Sequence, residues 1–209
     1  MQRVRLRNLA LIVLAALTSL PAASQAASYD CHSTKLSRVE RSVCARPVLS
    51  ALDERLATAY KAALASDESV VVAQREWMTT KRDRCADNDC LFTAYTARLA
   101  ELRSRTHTCP LPEDGLVGSW INEVKDGEVF ESLAFGHDTA GHRSFESWLH
   151  QAPFASGVWE FKDCGVHVTA GSAGQLDFDL TIMGYENGRL ELATDMAERP
   201  LRFKRAARR

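Results

Sequence analysis

Two rhythms divide the chain. From Ser37 to Leu102 apolar residues recur every three or four positions, and beyond Pro112 they recur every second position. The first rhythm is that of an amphipathic helix, the second that of a half-buried strand. Ser37-Arg38-Val39-Glu40 has capping-box spacing, so a short helix starts there and carries Cys44. Pro47 suits the first turn of a second helix, whose face is Leu49, Leu52, Leu56, Tyr60 and Leu64. Asp67 or Ser69 caps a third, with Val70, Ala73, Trp77, Lys81 and Cys85 on one stripe. Ala86-Asp87-Asn88-Asp89 reads as a turn, with Asp89 the candidate N-cap. A fourth helix from Cys90 turns Leu91, Tyr95, Arg98, Leu99 and Leu102 inward.

Pro110-Leu111-Pro112 reads as a linker. After it, Leu176-Asp177-Phe178-Asp179-Leu180-Thr181-Ile182 alternates cleanly, and Trp159-Glu160-Phe161, Val166-His167-Val168, Leu190-Glu191-Leu192 and Leu201-Arg202-Phe203 do the same. Asn187-Gly188 between apolar runs predicts a hairpin. About eight short strands follow from this spacing, paired antiparallel because no helical crossovers are available. The expected architecture is α+β in two domains: a small helical bundle over 28–109 and an antiparallel barrel or sandwich over 110–209.

Residues 1–27 read as a signal peptide. Arg3, Arg5 and Arg7 precede an apolar run from Leu9 to Leu20, and small residues follow up to Ala26 and Ala27. That run is about 12 residues, short of the ~20 that a membrane span needs. The chain is therefore expected to be periplasmic or secreted, with no stable membrane insertion after cleavage. Cys31 follows Ser28-Tyr29-Asp30, a poor site for lipid attachment.

Six cysteines in an exported chain imply three disulfides. Sequence leaves 15 pairings open. The expected set is Cys31–Cys44, Cys85–Cys90 and Cys109–Cys164, the last tying the halves together. No C-x2-C pair or matching histidine spacing supports a metal site.

The whole-chain charge of −1 hides an asymmetry. Residues 28–109 carry 13 Lys and Arg against 11 Asp and Glu, whereas residues 110–201 carry 5 against 16. A basic tail follows, with Arg202, Lys204, Arg205, Arg208 and Arg209. Such an acidic segment repels nucleic acid and attracts basic proteins.

The helical half resembles the N-terminal domain of the lysozyme inhibitor LprI-like family, formerly a domain of unknown function. The match consists of Cys31, the run Val39 to Cys44, Leu52-Asp53, Leu56, Tyr60, Gln74, Trp77, Arg82-Asp83, Cys85, Cys90, Tyr95, Arg98 and Leu102. The family is named for inhibition of lysozyme by one kind of member. Its motif residues Leu52, Asp53, Tyr60, Gln74, Trp77, Arg82, Asp83, Tyr95 and Arg98 are expected to serve packing, as patterned aromatic and charged residues usually do. The second half loosely resembles lipocalin-like barrels. Gly118-Ser119-Trp120 matches their first-strand G-x-W, whose tryptophan packs on an arginine from the barrel end, here expected to be Arg202.

No G-x-S-x-G, S-x-x-K or H-E-x-x-H motif is present. His137, His142 and His150 are expected to be solvated. Asp177 and Asp179 share a strand face about 7 Å apart, which suits a glycosidase pair in spacing, but solvated carboxylates are the commoner outcome on such a face. The expectation is a binding protein without enzymatic activity, cofactor or metal. Resemblance and charge together imply an inhibitor of lysozyme-type muramidases, with Asp87, Asn88 and Asp89 on the Cys85–Cys90 turn meeting a basic partner such as lysozyme. The alternative is a lipocalin-like carrier or sensor of a small apolar ligand in the cell envelope.

Overall fold

The computed structural model describes residues 27–124, 129–171 and 176–207. The expected signal peptide lies outside these residues except for Ala27. The chain is α+β. Helices α1 (Arg38–Ala45), α2 (Pro47–Leu64), α3 (Val70–Thr80) and α4 (Asn88–Thr106) precede a short helix α5 (Glu113–Leu116) and eight strands. These are β1 (Gly118–Asn122), β2 (Ser132–His137), β3 (Arg143–Leu149), β4 (Ala152–Lys162), β5 (Gly165–Ala170), β6 (Leu176–Glu186), β7 (Arg189–Ala193) and β8 (Leu201–Arg205).

Local chemistry explains the helix ends. Ser37 and Glu40 exchange both bonds of a capping box at the start of α1, and Pro47 opens α2. Two expectations are corrected. The N-cap of α4 is Asp87, not Asp89, because the Asp87 carboxylate accepts the Cys90 N–H at 2.8 Å. Asp89 instead sits in the first turn, where negative charge complements the helix dipole. The stripe from Val70 to Cys85 also breaks early: α3 stops at Thr80 and the chain tightens into a 3-10 turn over Arg82–Arg84. That turn brings Cys85 to Cys90, with their Cα atoms 5.4 Å apart.

The eight strands pair in sequence order, all antiparallel, and β8 closes on β1. Closure leaves no sheet edge exposed. Asn187 and Gly188 both take positive φ in the β6–β7 turn, as a two-residue hairpin demands. The barrel is filled rather than hollow along its aromatic layer. Phe135 packs on Phe145 and Trp159 at 5.4 and 5.5 Å between ring centres, and Phe130 stacks on Phe178 at 5.6 Å.

Residues 110–112 are not a solvated linker. Leu111 is buried and joins the barrel core, and α5 follows at once to plug the barrel end. Over that end, Arg205 rather than Arg202 lies on Trp120, with the guanidinium 4.7 Å from the ring centre. Parity along β8 is the reason. Leu201, Phe203 and Arg205 share one face, whereas Arg202 faces out and bonds Glu191. Arg205 also donates to the carbonyls of Val117 and Gly115, and the Trp120 Nε1–H donates to that of Leu116 at 2.8 Å.

The helices lie against the β6–β8 side of the barrel. Met183 and Ala193 from the barrel join the helical core, and disulfide Cys109–Cys164 links the parts covalently. Ile182 pairs with Leu192 and Gly184 with Glu191, so Met183 is an extra residue in β6. Such a bulge interrupts the ladder and frees carbonyls. Arg103 of α4 takes the carbonyls of both Ile182 and Met183.

Candidate functional site

Several motif residues of the helical half meet in a buried network around Asp53 and Tyr95. The Tyr95 hydroxyl donates to Asp53 Oδ1 at 2.9 Å, and the Ser28 backbone N–H donates to the other carboxylate oxygen at 2.8 Å. Trp77 meets Tyr95 edge-on at 5.3 Å. Burial first, then the Asp53 charge, pushes the Tyr95 hydroxyl far above its ordinary pKa. Arg82 is buried and bonds the exposed Asp83 at 2.8 Å. Arg98 donates to Gln74 at 3.0 Å and to Glu101 at 2.7 Å. Leu52 is fully buried and Tyr60 half-buried. Asp53, Tyr95 and Trp77 are thus engaged with one another, whereas the buried Arg98 Nη2 has no hydrogen-bond partner among the described residues.

The Cys85–Cys90 corner is held from three sides. The disulfide closes it, the Asp87 carboxylate caps α4, and the Arg38 guanidinium donates to the Cys85 and Ala86 carbonyls. Asp87 and Asp89 are exposed and Asn88 is half-exposed. Only Asp89 and Asn88 keep side chains free of the cap, and Arg82, Arg84 and Arg38 lie close in the same corner.

A second acidic surface lies on the barrel, where strand register builds two rows. Glu160, His167 and Asp179 pair across β4, β5 and β6, and Val158, Thr169 and Asp177 form the adjacent row. His167 bridges both aspartates, Nδ1 to Asp179 at 2.9 Å and Nε2 to Asp177 at 3.0 Å. The hydrogen bond that the His167 ring donates to Asp179 and the charges of Asp177, Asp179 and Glu160 outweigh desolvation and raise the His167 pKa. Val158 is 51% exposed within this patch. Asp177 and Asp179 thus act as partners of a histidine and do not frame an open cleft between them. Among the described residues no group of three His, Cys, Asp or Glu is placed to hold a metal. His142 pairs with Asp138 at 3.2 Å, and His150 takes a turn conformation with positive φ. The sequence offered a signal for the patch in the alternation of β5 and β6, but which polar faces adjoin is a matter of register.

Three cysteine pairs are bonded, Cys31–Cys44, Cys85–Cys90 and Cys109–Cys164, and no cysteine is free. Lipoprotein LprI of Mycobacterium bovis is 32% identical to this chain over 161 residues, covering 64% of this chain and 80% of the relative. The same protein of two Mycobacterium tuberculosis strains matches to the same extent. The chain belongs to the LprI family. No family model and no solved structure matches it. Unlike a lipid-anchored cysteine, Cys31 here has its sulfur committed to Cys44. Among the described residues no helix is long and apolar enough to cross a membrane.

Proposed function

We propose that this protein is an exported binding protein that inhibits basic, lysozyme-type muramidases. Membership of the LprI family carries the reading, since the helical motif resembles a family named for lysozyme inhibition. The relatives are named as lipoproteins, which supports a place in the cell envelope or outside it. The barrel patch of Glu160, Asp177 and Asp179 supplies charge complementary to a basic enzyme, with Val158 as an apolar contact at its edge. The stapled corner with Asp87, Asn88 and Asp89 is the second contact surface. Its covalent and hydrogen-bonded bracing lowers the ordering cost of binding. The task assigned to both surfaces is contact.

The test is a cell-wall lysis assay with a basic lysozyme and the disulfide-intact protein. Added protein slows lysis stoichiometrically. The variant E160Q/D177N/D179N associates about ten- to hundred-fold more slowly at low salt, and N88A/D89A reports the corner separately. Lysis unchanged by a large molar excess of the natural protein rejects the reading.

A further inference from the structure

A cleft of about 860 Å³ runs between α2, the end of α4 and the β6–β7 hairpin. Its volume falls in the range of small-molecule sites. Four arginines line it against three glutamates. Their distribution matters more than the count. Arg189 and Glu123 pair at 3.0 Å and neutralise each other, and Glu186 stands exposed. A single carboxylate, that of Glu191, serves two of the other arginines. Arg55 reaches Glu191 at 2.7 Å and Arg202 reaches it at 3.3 Å. Arg103 reaches no carboxylate among the described residues. It is 8% exposed, and its two hydrogen bonds go to the Ile182 and Met183 carbonyls.

Carbonyl dipoles orient a guanidinium without cancelling its charge, and two bonds occupy two of its five N–H donors. Docking the helices on the bulge accounts for those two bonds. It does not account for a second guanidinium, that of Arg55, close enough for its charge to act on the first. Burial, and then the charge of Arg55, lower the Arg103 pKa to about 10, so the group stays cationic at neutral pH and bears the repulsion of a neighbouring guanidinium. A bound oxyanion relieves it. Apolar surface from Ala59, Met183 and Leu190 lines the same cleft.

We propose that this cleft binds a small organic anion, a carboxylate or phosphate on a partly apolar body, with Arg103 and Arg55 donating to its oxygens. Guanidinium forks match both oxyanions, so either group satisfies the donors. The site is separate from the acidic barrel patch, and its occupancy is independent of muramidase binding.

The experiment titrates inorganic phosphate and citrate into the disulfide-intact protein at low ionic strength, followed by backbone amide NMR. Saturable shifts centred on Gly184 and Tyr185 are expected, larger in affinity for citrate. Because R103Q disturbs docking as well, two other variants carry the test. R55Q weakens binding by about tenfold or more, as for loss of a charged hydrogen bond. E191Q strengthens it by about tenfold, because it removes the carboxylate that competes for Arg55 and Arg202. A purely structural cluster does not predict that gain. No saturable shift with either probe, shifts centred elsewhere, or an E191Q variant that binds no more tightly overturns the proposal.

Discussion

The Tyr95 hydroxyl and the Asp53 carboxylate meet at 2.9 Å inside the helical part, and both side chains are buried. The pair ties α4 to α2, and through the second carboxylate oxygen it ties the Ser28 backbone to both. Replacing Tyr95 by phenylalanine keeps the edge contact with Trp77 and removes only the hydroxyl. A buried carboxylate oxygen then loses its donor. Y95F is expected to lose about 1–3 kcal/mol of stability, the usual cost of an unmet buried polar group. Urea denaturation followed by tryptophan fluorescence measures it. A midpoint unchanged from the natural protein would mean that water replaces the hydroxyl.

Cys31 and Cys44 close a loop of 13 residues' separation at the start of the helical part. Cross-linking a loop of that length contributes about 3 kcal/mol, mainly by restricting the unfolded chain. The double variant C31S/C44S is expected to lose that amount and to become sensitive to proteolysis near Ser28. The same bond has a chemical consequence. A sulfur committed to Cys44 cannot carry a lipid thioether. Intact-mass analysis of exported protein is therefore expected to show an unlipidated chain with six cysteines oxidised. A mass increment of a diacylglycerol on Cys31 would contradict the pairing.

Arg103 bonds the Ile182 and Met183 carbonyls at the β6 bulge. R103M retains much of the apolar stem and removes both donors. It is expected to cost about 2–4 kcal/mol, as two charge-assisted bonds to buried carbonyls are lost. The Cys109–Cys164 bond still tethers the halves, so the loss should appear as independent motion of intact parts. Hydrogen exchange is expected to accelerate at β6 and β7 while the amides of α1 and β3 stay protected.

The helical rhythm, the capping box at Ser37, Pro47 and the Asn187-Gly188 turn were legible because each acts through neighbours in sequence. Where several residues competed for one local role, the sequence could not choose. Asp87 and Asp89 are equally good caps, and the Cys90 N–H decides between them only once the disulfide turn is formed. Residues acting across elements were hidden. Arg202 and Arg205 differ by strand parity and by where the barrel closes, so the arginine over Trp120 was misassigned. Leu111, flanked by prolines, looked like linker because its partners lie in the barrel core. Arg103 stands four residues after Leu99 on the inward stripe of α4, and an arginine in that position was the available hint of an interface.

His167 stands between Asp177 and Asp179, with Glu160 across β5 from it, so its protonated form is favoured in the folded protein. Its folded pKa is raised above the unfolded value of 6.5. The stability it adds is therefore fully present below pH 6.5 and fades as pH rises through the folded pKa. The side chain is 43% exposed, so screening keeps the effect small. The clearer readout is charge. Above that pKa the patch presents three carboxylates with a neutral imidazole, and below it one of the three is offset. Association with a basic muramidase is expected to quicken as pH rises through this window. H167Q removes the pH dependence and leaves the carboxylates in place. Stopped-flow association rates at constant low ionic strength, with the partner's own titration measured in parallel, decide the matter. If H167Q retains the full pH dependence of the natural protein, the patch is not the surface that meets the enzyme.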